Sequence, residues 1–133
     1  MSKKPPETLQ LFTLPTGHTL VCMQARTPVG CFGFTVKGGS RYETAPETHG
    51  LAHFVEHTIF KGTTHRRAHH INSRMEAVGG ELNAFTTKEE ITFYTIFPKG
   101  NLARASQLLA DLAYNLLFQK GNSTRKEKWY VRR

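Results

Sequence analysis

Thr48-His49-Gly50-Leu51-Ala52-His53-Phe54-Val55-Glu56-His57-Thr58-Ile59-Phe60-Lys61-Gly62 carries the marks of one amphipathic helix. Thr48 is a good N-cap, with Pro46 and Glu47 just ahead of it. Leu51, Val55 and Ile59 recur every four residues and form an apolar stripe. Gly62 can adopt the left-handed conformation that closes a helix. The predicted helix therefore covers residues 48–61, with Phe54, Val55 and Ile59 seating it in a core. Residues four apart lie one turn apart on the same helix face, so His53 and His57 can present both imidazoles to one ion. Glu56 stands beside that face.

Upstream, residues 8–14 and 19–24 read as a hairpin around the turn Pro15-Thr16-Gly17-His18. Pro28 marks a break, and Phe32, Phe34 and Val36 alternate along a third strand over 31–37. Downstream, Ile71, Met75 and Val78 belong to a second helix that stops at Gly79-Gly80. Residues 81–86 form a short strand, and Ile91, Phe93, Thr95 and Phe97 alternate along a longer one over 91–97. After Pro98-Lys99-Gly100, Asn101 caps a Leu-rich helix that runs to Gly121, and Asn122 or Ser123 starts one more. Strands come in runs, with helices between and after them. That order predicts an α+β fold, an antiparallel-rich sheet with helices on one face.

The length, 133 residues, suits a single domain over 1–133, with residues 1–7 as a loose arm. No apolar run approaches the roughly 20 residues of a spanning helix, and no secretory signal stands at the start, so a cytoplasmic location without membrane contact is expected. Cys22 and Cys31 lack metal-site spacing and read as reduced, half-buried thiols. The net charge is +8, and residues 120–133 hold six basic residues against Glu127 alone. Such a run is usually a solvated face. Only Trp129 and Tyr130 offer stacking surface there, so nucleic acid is not an expected partner.

His53-Phe54-Val55-Glu56-His57 has the division of labour that amide hydrolysis needs. Two imidazole nitrogens hold a zinc ion at about 2.0–2.1 Å. The metal lowers the pKa of a water toward about 7, and a neighbouring carboxylate takes its proton and passes it to the leaving amine. Taken alone, the pentapeptide also fits two surface or satisfied core histidines on an ordinary helix. His65, His69 and His70 form a looser cluster and read as exposed loop or helix-end residues.

The surroundings narrow the choice. The motif follows Gly39-Ser40-Arg41-Tyr42-Glu43 and precedes Met75-Glu76-Ala77-Val78-Gly79-Gly80-Glu81-Leu82-Asn83-Ala84-Phe85-Thr86-Thr87 and Glu90-Ile91-Thr92-Phe93-Tyr94. This series resembles the pitrilysin, insulysin and mitochondrial-processing-peptidase family of inverted zincins, whose motif is His-x-x-Glu-His. The resemblance implies a zinc metalloendopeptidase with one Zn2+ per catalytic domain. It implies His53 and His57 as ligands, Glu56 as general base, and Asn83, Ala84 and Phe85 on an edge strand that receives a peptide or protein substrate. It also implies further related domains or a partner subunit.

The same resemblance places the third zinc ligand, a Glu, on a later helix, two turns beyond the position matched by Glu127. Seven residues of helix rise about 10 Å, so Glu127 cannot stand in for it and is left either to support the site from behind the ligands or to stand on the surface. The expectation is a catalytic domain cut short before its third ligand, with weak zinc binding and little activity. The alternative is an inactive, partner-binding subunit or remnant of such a peptidase.

Overall fold

Ile91, Phe93, Thr95 and Phe97 point to one side of their strand and all four are buried. In the computed structural model, which describes residues 8–117, they are the row on which the core is built. The elements in order are β1 (Leu9–Thr13), β2 (Thr19–Met23), β3 (Val29–Lys37), α1 (Leu51–Thr58), α2 (Ala68–Glu76), β4 (Glu81–Thr86), β5 (Glu90–Pro98) and α3 (Leu102–Tyr114). Short 3-10 turns at Ser40–Tyr42 and Pro46–Thr48 lead into α1.

β1 and β2 form a separate antiparallel hairpin. β3, β5 and β4 form a second antiparallel sheet, in that order, with β5 in the middle. Ile71 and Met75 of α2 and Ala105, Leu108, Leu109 and Leu112 of α3 close on Phe93 and Phe97, joined by Ile59 just after α1. Phe32, Phe34, Leu82 and Ala84 flank this core from the neighbouring strands. Burying each such Leu or Phe contributes about 2 kcal/mol. The fold is α+β, as the order of elements predicts, with the helices on one face of the three-stranded sheet.

Strand limits shift by a residue or two, and three helix ends differ more. α1 begins at Leu51 rather than at Thr48, whose hydroxyl instead donates to Ala45 O at 2.7 Å. Gly50, at φ 84°, occupies the N-cap position, where its missing Cβ removes the penalty for left-handed backbone. The capping oxygens come from Glu43, whose carboxylate accepts the Gly50 N–H at 2.8 Å and the Ala52 N–H at 2.9 Å. α1 also ends early, at Thr58, so Gly62 lies in the following loop and not at the helix end.

α3 stops at Tyr114 instead of continuing to Gly121. There the chain turns to pair with the loop after α1: Leu116 bridges Thr63, and the Leu117 N–H donates to Gly62 O at 3.1 Å. Asn101 does hold the N-cap position of α3, but its side chain donates to Pro98 O rather than capping the helix. The loose arm, the helix expected after Asn122 or Ser123, and Glu127 lie outside the described residues. Cys22 and Cys31 are free thiols as expected, although Cys31 is exposed rather than half-buried.

The turn that precedes α1 is wedged against the β4–β5 turn. Gly38 and Gly39 donate their N–H groups to Glu89 O, Ser40 donates to Thr87 O and Arg41 to Lys88 O. A Cβ on Gly39 would lie 2.4 Å from Thr87 O, so only glycine lets the two backbones approach this closely. Glu43 follows this anchored turn, which fixes where α1 starts relative to β4.

Candidate metal centre

α1 is eight residues long and packs against β4 and β5. Its buried side is Ala52, followed by Ile59, with Leu51 and Val55 half-buried. Successive residues turn by about 100°, so His53 and His57 fall opposite that stripe. Both are exposed. Phe54 is 46% exposed and is not a core residue, contrary to the sequence reading. Its position, about 100° round from His53, is on the flank of the helix rather than on the buried stripe.

The two histidine rings converge. His53 Nε2 and His57 Nε2 are 2.8 Å apart, and the ring planes stand at 88°. In a tetrahedral zinc site, two ligand nitrogens lie roughly 3.3 Å from each other. The observed pair is a hydrogen bond, one ring donating its Nε2–H to the other, so an ion would displace that proton as the pair opens slightly to bracket it. The Glu56 carboxylate is 4.0 Å from His53 Nδ1, with its side chain 22% exposed. That gap is beyond a direct hydrogen bond and is one that a water can bridge. Among the described residues no group of three or more His, Cys, Asp and Glu side chains is placed to hold a metal. The donor set on α1 is thus two nitrogens with a carboxylate at their side.

Asn83, Ala84 and Phe85 lie on β4, the end strand of the three-stranded sheet. Asn83 and Phe85 share the face away from the helices with Tyr94 and Thr92, while Ala84 faces the core. Phe85 is 45% exposed and its ring meets Tyr94 edge-on.

The loop after α1 holds a cluster that the sequence reading missed. Asp111, in the last turn of α3, is only 6% exposed. Its carboxylate accepts from the Thr63 hydroxyl at 2.8 Å, from Asn115 Nδ2 at 3.0 Å and from Arg66, and it bonds His65 Nδ1 at 2.8 Å. Burial alone would raise its pKa, but the bonds from His65, Thr63, Arg66 and Asn115 outweigh it and hold the carboxyl below its ordinary value. The signal was a single Asp inside the apolar run of α3, a residue type that is buried only when paired. His65 is therefore more than an exposed loop histidine, because its ring anchors this loop. The His69 and His70 rings lie close together, centroids 3.8 Å apart and planes tilted by 48°.

Comparison with known proteins gives this arrangement a family. The model of the insulinase family, peptidase family M16, matches residues 20–133. The chain belongs to the insulinase family. It is 36% identical over 130 residues to a probable mitochondrial-processing peptidase subunit beta of Arabidopsis thaliana, covering 96% of this chain and 24% of the relative. It is 38% identical over 96 residues to an uncharacterized zinc protease, YmxG, of Bacillus subtilis, covering 72% of this chain and 23% of the relative. The crystal structure of a protease from Helicobacter pylori superposes with a TM-score of 0.80 at 26% identity, covering 86% of this chain and 28% of that one. The chain spans about a quarter of the length of these relatives.

Proposed function

We propose that this insulinase-family chain carries the metal-binding helix of a zinc-dependent endopeptidase, with His53 and His57 as two zinc ligands and Glu56 as general base. The observation that carries the reading is the approach of the two Nε2 atoms to 2.8 Å on one exposed helix face. The Glu56 carboxylate on the same helix, 4.0 Å from His53 Nδ1, and the zinc protease among the relatives support it.

The residues present suit zinc chemically. Neutral imidazoles are good zinc donors, and a helix holds them at i and i+4 without strain. Bound zinc supplies a Lewis acid that polarises a carbonyl and eases deprotonation of water. Glu56 accepts the proton of the attacking water as the oxygen adds to the scissile carbonyl, then delivers it to the amine as the C–N bond breaks. The β4 edge, with Asn83, Ala84 and Phe85, aligns an extended peptide by main-chain hydrogen bonds. A catalytic zinc usually takes three protein ligands, so the third comes from outside residues 8–117. Association with further domains or a second subunit belongs to the same proposal, since the Arabidopsis relative is named as a subunit.

Zinc titration of the metal-free full chain tests this reading. The natural chain is expected to take up about one zinc, and His53→Ala or His57→Ala to weaken uptake by at least about tenfold. Equal zinc affinity in the natural chain and both variants would sink the proposal.

A further inference from the structure

The turn between β4 and β5 closes with the Thr87 N–H donating to Glu90 O at 2.8 Å. In an antiparallel ladder, opposed residues alternate between pairs that exchange both N–H···O bonds and pairs that exchange none. Counting back from Thr87 and Glu90 along the register, Phe85–Thr92, Asn83–Tyr94 and Glu81–Ile96 are the bonded pairs. Thr86–Ile91, Ala84–Phe93 and Leu82–Thr95 are the pairs without such bonds. Since β4 ends the sheet, the N–H and C=O groups of Leu82, Ala84 and Thr86 point outward along its edge.

One of these outward donors is already engaged. The Ala84 N–H donates to the side-chain oxygen of its own neighbour, Asn83 Oδ1, at 2.9 Å. Asn83 is exposed, and this hydrogen bond orients its carboxamide along the edge. An edge strand with unpaired main-chain groups is a template for any extended chain. Here the central outward donor is masked from within.

We propose that the Asn83 carboxamide is a built-in cap on the β4 edge, which an added peptide strand must displace from the Ala84 N–H. The displacement half of the proposal rests on the reading of β4 as the substrate edge. The exchange replaces one hydrogen bond by another, so the cap costs docking little while closing the edge to chance pairing. It also selects register. A strand that places a carbonyl opposite the Ala84 N–H can take over the bond, whereas one shifted by a residue leaves the cap in place.

Amide exchange on the full chain tests the cap without any activity. The Ala84 amide is expected to exchange about fivefold faster in Asn83→Ala than in the natural chain, with Leu82 and Thr86 unchanged as a check on the fold. Asn83→Asp should keep the protection, because a carboxylate oxygen accepts the same bond. An Ala84 rate equal in the natural chain and Asn83→Ala overturns the cap. A short blocked peptide rich in Val and Thr then tests displacement. The expected result is new protection of Ala84 in Asn83→Ala, together with a shift of the Asn83 carboxamide signals in the natural chain. New protection with unmoved Asn83 signals overturns displacement. If the peptide protects Ala84 in neither chain, the reading of β4 as substrate edge fails and displacement falls with it, a result separate from the exchange rates that decide the cap.

Discussion

Two polar clusters stand on either side of the turn that leaves α1, and they are built in opposite ways. Asp111 is 6% exposed and its two oxygens are engaged by four side chains. His53 has a side chain 68% exposed, and the atom it presents to His57 is a nitrogen facing another nitrogen. Buried polar groups must find their partners inside the protein, so the first cluster is complete in itself. The second is a single exposed hydrogen bond between two imidazole nitrogens, one donating its N–H to the other's lone pair. The complete cluster reads as structural and the exposed pair is the one assigned to zinc in the proposal, although both draw on histidine and carboxylate side chains.

The largest effect is expected where the cluster is complete. Asp111→Ala removes the acceptor shared by Thr63, His65, Arg66 and Asn115, leaving the Arg66 guanidinium, with its side chain only 27% exposed, without its carboxylate. Breaking a buried pair from one side costs about 3 kcal/mol. Urea unfolding of the variant should show a loss of that order, with the amides of Thr63 and Thr64 exchanging faster than in the natural chain. A loss below about 0.5 kcal/mol, the range of ordinary surface changes, would erase the contrast between the two clusters.

Acid should act on the same cluster with a smaller effect. The folded-state pKa of Asp111 lies below its unfolded value, because the four hydrogen bonds outweigh burial. As pH falls, the unfolded carboxyl therefore protonates first, so the unfolded state binds more protons and stability declines. The contribution is present above the unfolded pKa of about 3.9 and is lost as pH falls through the lower folded pKa. Glu43, depressed by the Ala52 and Gly50 N–H groups, adds to the slope with the same sign. Unfolding midpoints followed from about pH 5 downward should fall less steeply for Asp111→Asn than for the natural chain. Parallel slopes would remove Asp111 from the account.

Much of this contrast was legible in the sequence, for reasons that differ between its parts. The period-two rows of β3 and β5 and the hairpin turn at Pro15-Thr16-Gly17-His18 located the strands, because alternation and turn chemistry are local. The pentapeptide of α1 located the histidines, because i and i+4 on a helix admit one geometry. The ends of α1 and α3 were misread because their signals are not local. Glu43 caps α1 from seven residues upstream of Gly50, and Leu116 leaves α3 to pair with Thr63. The Asp111 cluster joins α3 to the loop after α1, a long-range match that no spacing rule announces. Exposure was hardest to read. Leu9, Leu11, Val21 and Met23 alternate as cleanly as the residues of β5, yet each is about 60% exposed. Alternation defines a strand's two faces but not what covers them.

The smallest effect on the metal-free chain is expected at the convergent cluster. His53 and His57 are exposed and their rings bond chiefly to each other, so His53→Ala or His57→Ala should shift unfolding by no more than about 0.5 kcal/mol. Zinc makes the contrast visible. A ligand that binds only the folded state stabilises it by mass action, about 2.7 kcal/mol at a hundredfold excess over its dissociation constant. The natural chain should gain stability with zinc and the two variants should not, while Asp111→Ala should keep the gain on its lower baseline. If His53→Ala destabilised the metal-free chain as much as Asp111→Ala does, the two clusters would share one structural role. The convergence of the imidazoles would then be packing, not a site.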